Sequence, residues 1–300
     1  MINFHKFALV ASLLLVGACT QHDGGRGNAD PTPQNDFEVV EFLPAPGQFV
    51  NEGYSATTMA EACAYAQERL NNRHFVSLGG FGGYIVVKFD KPIRNSEGGY
   101  DFGIYGNSFN GSSEPGIVWV AYDANGNGVA DDGWQELYGS ESVLKNNVQR
   151  NYSITYSRTD DESKIAWHDN NGESGIIERN SMHPQDYFPA WVTEDEYTLS
   201  GTLLPDNSEW SEINQEWVLH AFEWGYADNF SPKDRITDSS GKSTAINRFR
   251  IADAIDDQGR TVDLKYIDFV KVQTAVNAKS GWLGELSTEV LGFYDYSMME

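Results

Sequence analysis

The chain has 300 residues, and its 44 Asp and Glu against 21 Lys and Arg give a formal net charge of -23. So acidic a surface repels phosphate backbones, which excludes nucleic acid as an expected partner, and it also disfavours a bare anionic membrane surface. The acidity suits an exported, soluble protein and favours divalent cations, although solubility alone is enough to explain it.

The chain begins with an apolar segment of secretory type. Residues 7–16, FALVASLLLV, follow a single charge at Lys6. A membrane-spanning helix needs about 20 apolar residues, so this run has the length of a signal peptide instead. The next residues, VGAC, resemble the lipobox of bacterial lipoproteins. We therefore predict a signal peptide over 1–18 and lipidation at Cys19; a plain signal peptide with an incidental Cys is the alternative.

A flexible tether is predicted next, over residues 19–38. This stretch is rich in Gly, Asn, Asp and Pro and has no large apolar residue before Phe37. Such a composition buries too little apolar surface to fold. No later apolar run is long enough to cross a bilayer, so we expect the lipid to be the only membrane anchor. Thr20, in place of Asp after the lipidated Cys, fits passage to the outer membrane.

The clearest helix signal lies at 58–70 in TTMAEACAYAQERLNN. Thr58 and Glu61 have the spacing of a capping box. Cys63 falls on the apolar stripe of this helix, together with Met59, Ala66 and Leu70. With Cys19 lipidated, Cys63 has no disulfide partner. A packed core thiol is the favoured interpretation, and a nucleophilic thiol is the alternative.

The rest of the chain is mostly β in pattern. Alternating or fully apolar runs separated by Gly, Asn and Asp are typical of strands joined by turns. These runs are 82–90, 115–123, 151–158, 216–224, 247–255 and 265–276. We predict an all-β, jelly-roll-like sandwich over 39–300 with one packed helix. The polar and aromatic stretch 159–214 is expected to be a long loop or insertion.

The sequence DANGNGVADDGW (123–134) indicates a calcium loop. Oxygen-bearing side chains alternate, and glycine stands at the sixth position, where calcium loops bend. The expected ligands are Asp123, Asn125, Asn127, the Val129 carbonyl, Asp131 and Asp132. Trp134 stands where an EF-hand has its bidentate Glu, so a structural calcium site of another type is predicted. A hairpin turn at Asn-Gly is the alternative.

Catalytic motifs are missing from the sequence. It contains no HExxH, no GxSxG and no phosphate-loop lysine, and nothing selects a glycosidase pair among its many carboxylates. We therefore expect a binding protein and not an enzyme. Trp191 and Trp210 lie in loop-like sequence, where they serve either ligand stacking or the packing of a long loop onto the sandwich.

Several longer segments resemble a family of Bacteroidetes surface lipoproteins. The similar segments are EFLPAPGQFVNE (41–52), SLGGFGGYIVVKFDKPIRN (77–95), GYDFGIYGNSFNGSSEPGIVWVAYDANGNGVADDGW (99–134), ELYGSE (136–141), HPQDYFPAW (183–191), FEWGYADN (222–229) and IDFVKVQTAVNAKSGWLGELSTEV (267–290). They are distributed over the mature chain from residue 41 to residue 290. One departure is that TQHDGG has a single acid, Asp23, where surface-export signals of these bacteria place an acidic cluster.

The resemblance implies a lipoprotein of the outer membrane, at the cell surface, that captures cobalamin (vitamin B12) for a TonB-dependent transporter. A corrin needs a broad, largely neutral site with aromatic walls and amide donors. Region 181–230 offers such groups in His183, Gln185, Tyr187, Trp191, Trp224, Tyr226 and Asn229. A carbohydrate-binding or glycan-utilisation lipoprotein is the alternative, because the same aromatics stack on sugars. An adhesin without a small ligand is a third possibility.

Overall fold

The computed structural model describes residues 36–236, 245–281 and 284–296, so the signal peptide, Cys19 and almost all of the tether lie outside the described residues. It confirms a mostly β protein with several antiparallel sheets and one main helix. By contacts, Pro33–Glu300 form one compact unit. No helix in the described part of the chain is long and apolar enough to cross a membrane.

Three sheets and a hairpin contain all the named strands. The central sheet has the order β1 (Phe37–Leu43), β3 (Tyr84–Arg94), β15 (Tyr266–Thr274), β5 (Gly116–Ala121), β6 (Gln135–Leu137), β14 (Ala254–Ile255). The second sheet has the order β13 (Ile246–Phe249), β4 (Phe102–Gly106), β16 (Glu289–Asp295), β2 (Val76–Ser77). The third has the order β10 (Glu196–Leu203), β7 (Gln149–Arg158), β8 (Lys164–Asp169), β9 (Ser174–Glu178). The hairpin pairs β11 (Ser208–Ser211) with β12 (Glu216–Leu219).

The main core lies between the central and second sheets. Val87, Val118 and Val270 of the central sheet are fully buried in the same cluster as Ile104 and Phe293 of the second. This is the alternation expected of a two-sheet sandwich, in which the inward side chains of both sheets interdigitate. Strand β1 already begins at Phe37, two residues inside the predicted tether, because that ring is buried in this core beside Phe89.

The helix, α1, spans Met59–Asn71 and confirms the helix predicted at 58–70. The Thr58 side chain caps the helix, because its hydroxyl accepts a hydrogen bond from the Glu61 amide at 3.2 Å. The Glu61 carboxylate in turn accepts from the Thr57 amide at 2.8 Å. Together these bonds satisfy amides that the first helical turn would otherwise leave unpaired.

Cys63 is a packed thiol, as predicted. It is partly buried against the main core, whereas Ala62, Ala66 and Leu70 of the same helix are fully buried. Burial raises the pKa of the Cys63 thiol to about 11. The thiol therefore stays protonated at neutral pH, which disfavours a nucleophilic role.

The stretch 159–214 is an insertion with strands of its own and not a bare loop. It contributes β8, β9 and β10, which are three of the four strands of the third sheet, and β11, which is one strand of the hairpin. The third sheet packs on the main body through Phe81, whose carbonyl accepts a bond from the Tyr156 hydroxyl at 2.9 Å. Gln273 of β15 also donates to the carbonyls of Gly82 and Ser200.

A group of buried carboxylates joins the second sheet to the loop that ends at Asn229. Asp228 accepts bonds from the amides of Asn107 at 2.7 Å and Glu289 at 2.8 Å. Burial raises the pKa of Asp228 to about 7 and that of Glu289 to about 8. Burial also raises the pKa of Glu114, which accepts a bond from Ser287. These acids are thus protonated more readily in the fold than in the unfolded chain.

We expect Glu289→Gln to stabilise the protein at alkaline pH. Because the folded-state pKa is raised, the stability linked to Glu289 is fully present below about pH 4.5 and is lost as pH rises through about 8. Gln resembles the protonated acid, so the melting temperature should rise on the order of 5 °C at pH 8.5 and stay unchanged at pH 4.5. Thermal unfolding at both pH values measures this. The exposed Glu68→Gln is the control, and an equal gain at both pH values would contradict the mechanism.

Candidate calcium loop and aromatic surface

The predicted calcium loop connects β5 to β6 and folds back on itself. Gly126 and Gly128 have positive φ values of 71° and 80°, which side-chain-bearing residues rarely adopt. These turns direct the alternating side chains toward one centre. Asp123 accepts bonds from the amides of Asn127 at 3.0 Å and Gly128 at 2.8 Å.

The later acids of the loop close over the same centre. The Asn125 amide group donates to Asp132 at 3.0 Å, and that of Asn127 donates to Asp131 at 3.0 Å. The structure therefore brings together all five predicted side-chain ligands. At Val129, the backbone amide donates to Asn127 Oδ1 at 2.7 Å, and the side chain is exposed.

The donor set fits calcium only if amide oxygens take part. Among the described residues, no three His, Cys, Asp or Glu side chains are grouped so that they could hold a metal ion. The amide NH₂ groups of Asn125 and Asn127 face the carboxylates of Asp131 and Asp132. Calcium takes six to eight oxygens, so these amides would have to turn their oxygens inward to join the carboxylates.

The loop is fastened to the outer face of the central sheet. Ala130 and Trp134 pack on a small cluster of Val86, Ala121 and Phe269. Lys271 lies beneath this cover, with its Nζ 4.7 Å from the Trp134 ring centre and 4.9 Å from that of Trp119. Burial lowers the pKa of Lys271 to about 8.

Four of the predicted ligand contacts lie in a loop that docks on the segment 47–54. Gln185 donates to the carbonyls of Gln48 at 2.5 Å and Val50 at 3.2 Å. His183 Nδ1 lies 2.7 Å from the Glu52 carboxylate. Tyr187 is buried, and its hydroxyl accepts a bond from the Asn180 amide, which gives this residue a structural role.

These two segments, α1 and the connection from α1 to β2 present a surface of partly exposed rings. We call it the aromatic surface and define it as Phe49, Tyr54, Tyr65, Phe75, His183 and Trp191. The rings form two groups that the segment 49–54 connects. Phe49 lies 5.0 Å from His183 and 5.8 Å from Phe75, while Tyr54 stacks on Tyr65 at 3.7 Å and contacts Trp191.

The two phenols of the aromatic surface are uncharged, whereas the Glu52 carboxylate lies beside His183 and the Arg69 guanidinium lies over Phe75. Burial raises the pKa of Tyr54 and of Tyr65, so both phenols remain protonated at physiological pH. Four rings of this surface are not among the predicted ligand contacts, because these contacts were predicted only within residues 181–230. The four are Phe49, Tyr54, Tyr65 and Phe75. Only the folding of that region onto the helix brings them beside His183 and Trp191.

The remaining predicted contacts, Trp224, Tyr226 and Asn229, do not join this surface. Tyr226 is buried in a separate cluster, and its hydroxyl accepts a bond from the Glu141 amide at 2.9 Å. Asn229 is buried and bonds the backbone of Phe222 with both ends of its amide. Trp224 faces the Arg235 guanidinium at 3.9 Å. The predicted single ligand-binding set is therefore divided, because β10, β11 and β12 separate its two halves.

Comparisons with known proteins identify no relative. No protein-family model matches the chain, and no curated protein matches it. The resemblance to surface lipoproteins therefore stays a prediction.

We expect calcium to stabilise the protein through the 123–132 loop. For a site of roughly 0.1 to 1 mM affinity, 10 mM calcium adds roughly 1 to 3 kcal/mol to the free energy of unfolding. The melting temperature in calcium should therefore exceed that in chelator by several degrees. Asp123→Asn should remove most of this difference, because it deletes a charged ligand and keeps an oxygen acceptor for the loop amides.

The matched control is Asp160→Asn, an exposed acid in the loop between β7 and β8. It should keep the full response to calcium. A calcium response that survives Asp123→Asn would place the metal elsewhere, and no response in the unsubstituted protein would leave the loop as a hydrogen-bonded hairpin.

Proposed function

We propose that this protein is an outer-membrane lipoprotein that captures a small-molecule nutrient outside the cell and passes it to a TonB-dependent transporter. It acts as a binding protein and not as an enzyme. The single observation that carries this proposal is the aromatic surface, which offers six partly exposed rings on one face, with Glu52 and Arg69 as charged neighbours. Cobalamin, the ligand that the resemblance implies, is the first to test.

An open face suits the chemistry of a corrin. The ligand is broad and ringed with neutral amides, so it needs flat apolar contacts with a few hydrogen-bonding groups at the edge. Beside the rings, His183 bonds Glu52 and Gln185 bonds the backbone of Gln48, which fixes the positions of the two loops that carry the rings. Open binding also favours release, which handover to a transporter requires.

Calcium has a structural role in this proposal. The 123–132 loop covers the outer face of the central sheet, and its oxygens face one another. A bound ion would fix this cover and leave no coordination position for chemistry.

We expect cyanocobalamin to bind the purified protein, as measured by isothermal titration. The double variant Phe49→Ala with His183→Ala should weaken binding at least about tenfold, because it removes two adjoining rings worth roughly 1 kcal/mol each. The control is Trp210→Ala in the β11–β12 hairpin, which should bind cyanocobalamin with the affinity of the unsubstituted protein. Absence of heat with the unsubstituted protein would eliminate cobalamin as the ligand.

A carbohydrate is the second candidate, and the β11–β12 hairpin favours it. Trp210 is 38% exposed and pairs edge-on with Trp217 at 5.8 Å. Ile213, at the tip, is 95% exposed. Exposed indoles of this kind stack on sugar rings, and a scattered apolar surface without a ligand is the alternative.

Affinity electrophoresis distinguishes the two candidates. If the protein is a glycan binder, soluble polysaccharides should retard it in native gels and Trp210→Ala should abolish the retardation. The double variant of the aromatic surface should then be retarded like the unsubstituted protein. Unchanged mobility with every polysaccharide would remove this candidate.

A further inference from the structure

A pocket lies between the third sheet and two short stretches of chain, residues 276–279 and 284–286. Its volume is about 250 Å³, and it is lined on one side by β8 and β9 and on the other by residues 276–279 and 284–286. Most of its wall is apolar or aromatic. The main wall residues are Phe81, Tyr156, Trp167, Ile177, Val276 and Leu286.

The Trp167 indole forms one flat wall because a glycine faces it. Gly175 lies directly opposite Trp167 in the β8–β9 register. A Cβ at Gly175 would come within 2.6 Å of the indole ring, so any larger residue would push the ring away. The glycine therefore lets the indole lie across β9 and face the pocket.

One partly buried acid, Glu285, is among the residues that line this pocket. Glu285 accepts a bond from the Gln48 amide at 2.5 Å and keeps partial solvent access. Burial raises its pKa to about 7, and Lys279 only partly offsets this. The other charged groups of the lining, Glu178 and Lys279, are exposed at its edge, and the Tyr156 hydroxyl is engaged by the Phe81 carbonyl.

Such a carboxylate has lost part of its water, and the cation that acts on it, Lys279, is itself exposed. An ammonium group placed beside it restores the lost charge interactions, and a charge-assisted hydrogen bond is stronger than a neutral one. An aromatic face within about 6 Å of a cation adds a further attraction. The volume is below the range of drug-sized ligand sites, so the occupant should be small.

We propose that this pocket binds a small organic cation, with its ammonium group on Glu285 and its apolar body against Trp167. The site is independent of cobalamin capture, because the pocket lining includes none of the rings of the aromatic surface. A ligand of this class has one positive end and one flat or aliphatic end.

Two probes of equal shape test the proposal. Benzylamine and benzyl alcohol differ in the ammonium group, so isothermal titration of each into the purified protein isolates the contribution of charge. We expect benzylamine to bind at least tenfold more tightly than benzyl alcohol at pH 8, where Glu285 is mostly ionised. Equal affinities would overturn the preference for a cation, and no binding of either probe would overturn the site.

The Glu285→Gln variant tests whether the preference for benzylamine over benzyl alcohol depends on the Glu285 carboxylate. Gln keeps an oxygen for the Gln48 amide, and the variant should reduce benzylamine to the affinity of benzyl alcohol. Glu173→Gln, an exposed acid in the turn between β8 and β9, should leave the preference intact. Retention of the preference in a folded Glu285→Gln variant would contradict the assignment.

A second readout covers the case in which Glu285→Gln fails to fold. The indole N–H resonance of Trp167, assigned by its loss in Trp167→Phe, should shift when benzylamine is added to the unsubstituted protein. Binding that leaves this resonance unmoved would place the amine outside the pocket.

Discussion

Burial of the central sheet on both faces is the constraint on which the other features depend. Its inner face packs against the second sheet through Val87, Val118 and Val270. Its outer face also carries apolar side chains, among them Val86 and Phe269, which water would otherwise reach. A sheet that is apolar on both faces needs a cover on each side, as parallel sheets do in other folds.

Two segments supply the outer cover, and they also carry the candidate calcium loop and one wall of the proposed cation pocket. The 123–132 loop covers the strands near Phe269, and the third sheet covers the region near Phe81. Gln273 bridges the two layers by bonding Gly82 and Ser200, and Gly201 permits the approach because a Cβ there would lie 2.2 Å from its side chain. The pocket is the space left where the third sheet meets residues 276–279 and 284–286.

Local chemistry explains what the sequence predicted well. The helix follows from the Thr58 cap and an apolar stripe, and the convergence of the 123–132 side chains follows from their spacing and two glycines. Strand positions were predicted where the apolar pattern is strong, as at 265–276, which is β15 at Tyr266–Thr274. The run 216–224 yields only β12, because its chain leaves the hairpin after Leu219.

Long-range contacts explain what the sequence did not reveal. Phe49 and His183 share a surface although 133 intervening residues separate them. The sequence of neither segment predicts that it contacts the other. Trp167 and Glu285 meet at one pocket from different layers of the fold. Conversely, Tyr187 and Tyr226 are both predicted ligand contacts, but each fills a separate interior cluster.

Lys271 gives the loop cover a chemical consequence. A lysine whose pKa is lowered to about 8 carries a substantial fraction of free amine at mildly alkaline pH, and the free amine is the nucleophilic form. The Trp119 ring of the neighbouring strand and the Trp134 ring at the end of the loop flank this amine, which is partly exposed. Because docking of the loop places Trp134 beside it, the acylation rate of this amine would change when the loop leaves the sheet. Lys271 thus links a chemical property of the central sheet to the position of the loop, although it takes no direct part in binding a metal.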